Sequence, residues 1–242
     1  MNDIEAKHLT KCYKEITAVD GLDLEVLSGE LFALLGVNGA GKTTTIKMLC
    51  CLTQPTDGDA FVGGHSILTA PLAVKQKIAV VPQETAVAAN LTARENLLLM
   101  AGLHGMKKEA AEEKVHELTE LLHLQDILNR RASKLSGGWQ RRLSIAMALV
   151  SEPEILFLDE PTLGLDVIAR SDLWDVIREL KGRITVILTT HYMEEAEALS
   201  DRLGIMSGGQ LLRIGTVEEV KQSAGAATLE EAFIRIVKEG SV

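Results

Sequence analysis

Gly36-Val37-Asn38-Gly39-Ala40-Gly41-Lys42-Thr43 sets spaced glycines, a lysine and a hydroxyl in one short loop between an apolar run and a helical one. Gly39 and Gly41 let backbone N–H groups turn inward with no Cβ in the way, which close approach to phosphate oxygens requires. The helix start beyond them adds partial positive charge where a β-phosphate would lie. In that setting Lys42 is expected to reach the β- and γ-oxygens, Thr43 to offer its hydroxyl to Mg2+, and Thr44 to add an α-phosphate contact. Gly36, Asn38 and Ala40 complete the loop assigned to the nucleotide. A glycine-rich turn with a surface lysine is the plainer alternative, and the flanking strand and helix argue against it.

Ile155-Leu156-Phe157-Leu158 is an apolar strand that ends on two adjacent carboxylates, Asp159 and Glu160. Charge beside a core is costly, so such an ending needs a reason. Asp159 is expected to partner Mg2+, and Glu160 to polarise an attacking water. His191 closes the strand Val186–Thr190, and ligands gather at the carboxyl ends of parallel strands. It is therefore assigned to the γ-phosphate and that water. Gln83 ends another strand; being uncharged, it can touch Mg2+ or water without competing with Asp159. Ser136-Gly137-Gly138 opens a further helix and resembles an anion nest. One triphosphate has no use for two such nests on one face, so this one is expected to serve a nucleotide held by another subunit. Read alone, it would be a loop and a helix cap.

These side chains need a sheet with helices around it. Ile4–Leu9, Leu22–Leu27 and Leu31–Leu35 read as strands punctuated by Gly21 and Ser28-Gly29. Leu31–Leu35 is apolar throughout, as for a strand covered on both faces. A helix is predicted from Lys42 to about Cys51, then strands at Ala60–Val62 and Ile78–Val81. From Thr92 to Leu124 the apolar residues recur at helical steps, notably Val115, Leu118, Leu121 and Leu122. Strand–helix alternation resumes with Ile155–Leu158, Leu173–Leu180 and Thr185–Leu188. Arg202–Met206 and Gln210–Ile214 flank a Ser207-Gly208-Gly209 turn. Thr216 is placed to cap a short helix, and Thr228 with Glu231 forms a capping-box pattern. The fold class is thus α/β: a mostly parallel sheet with flanking helices, an N-terminal antiparallel β subdomain and an inserted helical subdomain at about 87–152. The main domain is expected over 1–222, with a C-terminal helical tail over 223–242.

Composition narrows the function. A formal net charge of -9 and no long Lys/Arg run make nucleic acid a poor partner. The pairs Arg130-Arg131 and Arg141-Arg142 are expected on helix surfaces or beside acidic neighbours. Cys12, Cys50 and Cys51, odd in number and without a secretory start, suit a reducing, cytosolic setting, with Cys50 and Cys51 as buried small side chains. No apolar stretch approaches the roughly 20 residues that span a bilayer, so a membrane role would come through a partner.

In this order the motifs resemble the nucleotide-binding subunit of an ATP-binding cassette transporter, over nearly the whole chain. By that resemblance Tyr13 is the aromatic that stacks on adenine, Gln83 the Q-loop glutamine and Leu135–Gly138 the signature. Gly164-Leu165-Asp166 matches the D-loop and His191 the switch histidine. The family binds two ATP molecules in a head-to-tail dimer, each between one subunit's glycine loop and the other's signature. Closure of that dimer reorients a transmembrane partner. A separate permease subunit, a homodimer or heterodimer of ATPase subunits, and a place on the cytoplasmic face of the membrane are implied. Thr190–Glu197 and Thr228–Phe233 are most similar to the separately encoded ATPases of drug and antibiotic export. Trp139 departs from the usual signature glutamine and Val167 from the proline that often follows the D-loop aspartate; an aromatic filler is the expectation for Trp139. A soluble cassette ATPase acting on DNA or ribosomes is the alternative. The long coiled coils or tandem cassettes of such relatives are not visible. A degenerate regulatory cassette is disfavoured by the presence of Lys42, Asp159, Glu160 and His191.

Overall fold

A computed structural model describes residues 2–240. Of the expected main domain residue 1, and of the expected tail residues 241 and 242, lie outside the described residues.

The chain opens with a long antiparallel hairpin, β1 (Asn2–Tyr13) and β2 (Ile16–Leu27). Both strands run further toward the turn than their apolar alternation suggested, because Thr10–Tyr13 and Ile16–Thr17 pair through the backbone without a buried face to advertise it. β3 (Leu31–Leu35) is buried at every position and runs into the glycine loop and α1 (Lys42–Leu49). Cys50 just beyond is buried, whereas Cys51 is half-buried at positive φ. Burial pushes both thiols up, further silencing them as nucleophiles.

β4 (Asp57–Val62) returns to pair with β1, and the two-residue β5 (His65–Ser66) completes a four-stranded antiparallel sheet in the order β2-β1-β4-β5. α2 (Pro71–Lys77) then leads into β6 (Ile78–Val81). Neither β5 nor α2 was anticipated; both are too short to show a period. Three helices follow: α3 (Ala93–Leu103), α4 (Lys108–Leu121) and α5 (Gly137–Leu149). α3 starts on a complete capping box, Thr92 with Glu95. Leu97, Val115, Leu118, Leu122 and Leu143 fill the lobe's interior, in one apolar cluster with Leu156, Leu158 and Leu188 of the sheet.

The chain re-enters the sheet with β7 (Ile155–Asp159), α6 (Val167–Leu180), β8 (Thr185–Thr190), α7 (Met193–Leu199), β9 (Arg202–Ser207) and β10 (Gln210–Gly215). The resulting six-stranded sheet has the order β10-β9-β3-β8-β7-β6, parallel except for the β9–β10 pair. The expected α/β class, with its antiparallel N-terminal sheet and helical insertion, is the architecture found.

Thr216 caps α8 (Val217–Ser223) in a full box with Glu219. At α9 (Leu229–Glu239) only half of the expected box forms: Thr228 accepts from the Glu231 amide. Glu231 turns to the Ala227 amide instead, at 3.1 Å. Leu229, Ala232, Phe233 and Ile236 of α9 pack with Ala33, Leu35, Leu203 and Ile205 in a third apolar cluster. Among the described residues no helix is long and apolar enough to cross a membrane.

Candidate active site

β3, β7 and β8 lie side by side and run the same way, so the residues at their carboxyl ends converge. Those ends are the glycine loop, the Asp159–Glu160 pair and His191. The loop's shape depends on two glycines. Gly41 sits at φ 106° as the residue preceding α1, and a Cβ there would come within 2.5 Å of the Ala18 carbonyl oxygen. A Cβ on Gly36 would meet the Met206 carbonyl oxygen at 2.4 Å. Only glycine allows the loop to lie this close to β2 and β9. The Ala40 carbonyl, in turn, accepts from the Gly209 amide of the β9–β10 turn at 3.1 Å.

Lys42 is 5% exposed and folds back under the loop. Its ammonium donates to the carbonyls of Gly36 at 2.7 Å and Val37 at 3.3 Å, and lies 3.1 Å from Glu160 Oε1. The other Glu160 oxygen is 2.5 Å from His191 Nδ1. Glu160 is thus a buried carboxylate shared between a lysine and a histidine. Its own backbone is left-handed, φ 50°, and its amide donates both to the Thr189 carbonyl at 3.1 Å and to the Thr189 hydroxyl at 3.0 Å. A non-glycine residue in that region carries strain that the surroundings must offset.

Asp159 Oδ1 accepts from the Thr43 hydroxyl at 3.1 Å and from the Thr189 hydroxyl at 2.6 Å. Thr189 therefore orients both carboxyl-bearing residues, and it was not singled out from the sequence. The available sign was two consecutive threonines, Thr189 and Thr190, closing the apolar run Val186–Leu188.

A cleft of about 520 Å3 gathers Tyr13, Asn38–Thr44, Gln83, Glu160 and His191, with Ala18 and Leu163. Tyr13 is 45% exposed at its mouth, with the Lys11 ammonium 5.0 Å from the ring centroid. Gly36 contributes from beneath through its carbonyl, and Asp159 through Thr43.

Four expected nucleotide residues lie elsewhere. Ser136 and Gly138 line a separate small groove with Trp139, Arg142 and Asp172, and Gly137 is the first residue of α5 there. Ser136 occupies the cap position of α5, yet its hydroxyl makes no capping bond. A Cβ on Gly138 would stand 3.0 Å from Ala169 Cβ, so glycine lets α5 and α6 approach. Asp166 lies outside the cleft too, its carboxylate capping α6 through the amides of Ile168 and Ala169 at 3.0 and 2.9 Å.

Trp139 packs against the main apolar cluster, with the Arg142 guanidinium 4.5 Å from its ring centroid. Gln140 takes the loop-fastening work, donating to the carbonyls of Ala132 and Leu135 at 2.9 and 3.3 Å. Arg141 departs from expectation. It is not on the surface, and among the described residues it forms no ion pair with a carboxylate; it is 4% exposed and bonded to the Pro82 and Gln83 carbonyls.

The ABC transporter family model matches residues 19–163. The chain belongs to that family. It is an ATP-binding, ATP-hydrolysing subunit. It is 43% identical to the daunorubicin/doxorubicin resistance ATP-binding protein DrrA of Streptomyces peucetius, over 93% of this chain and 69% of that protein. It is 40% identical to the probable multidrug ABC transporter ATP-binding protein YbhF of Escherichia coli, over 98% of this chain but 42% of that longer protein. Among solved structures, an ATP-binding subunit of an ABC transporter superposes with TM-score 0.83 at 29% identity, covering 96% of this chain and 98% of the other. A dimeric ATP-binding cassette in a post-hydrolysis state, bound to ADP and Pi, gives TM-score 0.77 at 27% identity, over 88% and 98%.

Proposed function

We propose that this subunit closes on ATP and Mg2+ with a second ATP-binding subunit and thereby drives export of drug-like or antibiotic molecules through a separate transmembrane permease, at the cytoplasmic face of the membrane. The observation that carries the shared-site reading is the separation of the two anion-binding loops. Ser136–Gly138 stand apart from the cleft that holds the glycine loop, and the Ser136 hydroxyl is not spent on its own helix. The names of the drug-resistance relatives support the cargo class, and the dimeric relative supports pairing.

Tyr13 offers its ring to adenine at the mouth of the cleft, while Lys42, Thr44 and the backbone amides of residues 39–44 hold the phosphates. The metal donors are all oxygens, namely the Asp159 carboxylate, the Thr43 hydroxyl 3.1 Å from it and the Gln83 side-chain amide in the same cleft, a set that suits a hard divalent cation. Mg2+ held there would neutralise charge across the β- and γ-phosphates. Arriving phosphates compete with Glu160 for the Lys42 ammonium, which frees that carboxylate to take a proton from the attacking water. His191 holds Glu160 by its second oxygen and faces the γ-phosphate. Ser136–Gly138 of the second subunit close the phosphate end, and Asp166 of that subunit lies beside the same seam.

The test is complementation between defects. Subunits carrying Ser136→Ala and subunits carrying Lys42→Ala should each hydrolyse poorly alone, whereas mixed dimers hold one intact composite site and regain ATPase activity. Mixtures inactive at every ratio, with mixed dimers demonstrated by crosslinking, would rule out a shared site.

A further inference from the structure

The loop that presents Gln83 to the cleft and the helix that presents Ser136–Gly138 are joined by one buried side chain. Strand β6 ends at Val81, so Pro82 and Gln83 are the first residues without a sheet neighbour. Arg141, one turn into α5, sends Nη1 to the Pro82 carbonyl at 2.6 Å and Nη2 to the Gln83 carbonyl. The farther part of the same loop is fastened differently. Asn96 of α3 accepts from the Ala88 amide at 2.8 Å, and the Leu91 and Ala89 carbonyls accept from Ala132 and Ser133 at 2.8 and 2.9 Å.

A planar guanidinium with two donors on adjacent carbonyls fixes both distance and direction, which a single ammonium does not. The site also burdens the charge: burial pulls the Arg141 pKa down, against the field of Asp159. A buried cation that meets carbonyls instead of a carboxylate is costly unless its hydrogen bonds matter. Its helix, α5, starts at the Ser136–Gly138 loop, which lines a groove separate from the cleft. Movement of the Gln83 main chain therefore reaches α5 through rigid bonds.

We propose that Arg141 is a positioning residue that couples the protomer's own ATP cleft to the Ser136–Gly138 surface it offers to its partner. Engagement of the nucleotide's phosphate end by Gln83 shifts the Pro82–Gln83 carbonyls, and Arg141 carries that shift to the start of α5. This rests on the ATP-site reading above, but Arg141 itself touches no nucleotide.

The chain supplies its own reporter. It has two tryptophans, Trp139 and Trp174, so Trp174→Phe leaves Trp139, beside Ser136 in the small groove, as the one emitter. ATP·Mg2+ is titrated into this parent at concentrations where light scattering shows monomers. Occupancy is followed by equilibrium dialysis and Trp139 by its emission. The parent should show an emission change that tracks occupancy. Arg141→Met should bind ATP as the parent does yet lose the emission change, and in assembled dimers lower kcat roughly tenfold at unchanged KM. Arg141→Lys, which keeps the charge but not the two-carbonyl fork, should restore only part of both and serves as the comparison if Arg141→Met does not fold. A merely structural role would lower stability without parting occupancy from emission. Binding with a silent Trp139 in the parent, or an unaltered response in either Arg141 variant, overturns the coupling alone. Failure of the parent to bind ATP would instead bring down the ATP-site reading.

Discussion

Glu160 sits between Lys42 and His191 with 6% of its surface exposed. Removing one member of a buried ion pair leaves the other uncompensated, commonly at a cost of about 3–5 kcal/mol. Glu160→Gln is the gentler probe, because the amide keeps the shape and a carbonyl for Lys42 while losing the base. ATP affinity measured by equilibrium dialysis should persist, and turnover measured by phosphate release should fall roughly 10² to 10⁴-fold. Near-normal hydrolysis would dismiss Glu160 as the base. The places of Asp159 and Glu160 were legible in the sequence because carboxylates closing an apolar strand are conspicuous, and that of Lys42 because it follows a glycine-rich loop and opens a helix. Thr189 was not, since a threonine in a strand is unremarkable until its hydroxyl is seen bonding Asp159 and the Glu160 amide. Arg141 was misread for the same reason: adjacent arginines on a helix look solvated, and burial of one depends on a loop far away in sequence.

Helix α7 shows what an element can hide. Glu194-Glu195-Ala196-Glu197 places three carboxylates in one short helix, yet Glu195 is fully buried, accepting from Trp174 Nε1 of α6 at 3.0 Å. Arg170 of α6 meanwhile lies over Tyr192, its guanidinium 4.3 Å from the ring centroid. Burial, the leading cause, pushes the Glu195 carboxyl above its ordinary range. A carboxyl whose folded pKa is raised favours the fold most when protonated in both states, below its unfolded pKa of about 4.3. That contribution is lost as pH climbs through the raised value. Glu195→Gln keeps an acceptor for Trp174 and cannot ionise. Its melting temperature relative to the parent should therefore rise as pH goes from 4.5 to 8; parallel curves would mean that Glu195 does not titrate in the fold. The long periodic helices α4 and α6 were anticipated at least in part. α6 begins earlier than its apolar stripe, at Val167, because Asp166 caps it while Val167 and Ile168 stay about three-quarters exposed.

At the scale of the molecule, the central sheet has the lobe-facing cluster and the smallest cluster, closed by α9, on one face and the third cluster on the other. Leu229, Phe233 and Ile236 are each at most 5% exposed, and burying one such side chain is worth roughly 1.5–3 kcal/mol. A chain ended after residue 222 should therefore unfold at distinctly lower urea concentration, read by circular dichroism. An unchanged midpoint would mean that α9 contributes nothing to the core. The sheet's strands were readable because burial on both faces leaves continuous apolar runs, as in Leu31–Leu35 and Ile155–Leu158. The strand pairing within the antiparallel sheet was not, because β4 returns to β1 across the intervening β3 and α1. Such pairing is set by distant register, Ala6 opposite Ala60 for instance, and local pattern carries no trace of it.

The left-handed turn at Glu160 has a corollary for how the machine must run. With its amide doubly tethered to Thr189, the main chain bearing this side chain has no slack to swing. Rearrangement during a catalytic cycle is then left to what approaches it: water, phosphate and the His191 side chain. A branched replacement such as valine at position 160 would be refused by the backbone before its chemistry was ever tried, so such a variant reports on geometry and leaves proton transfer unexamined.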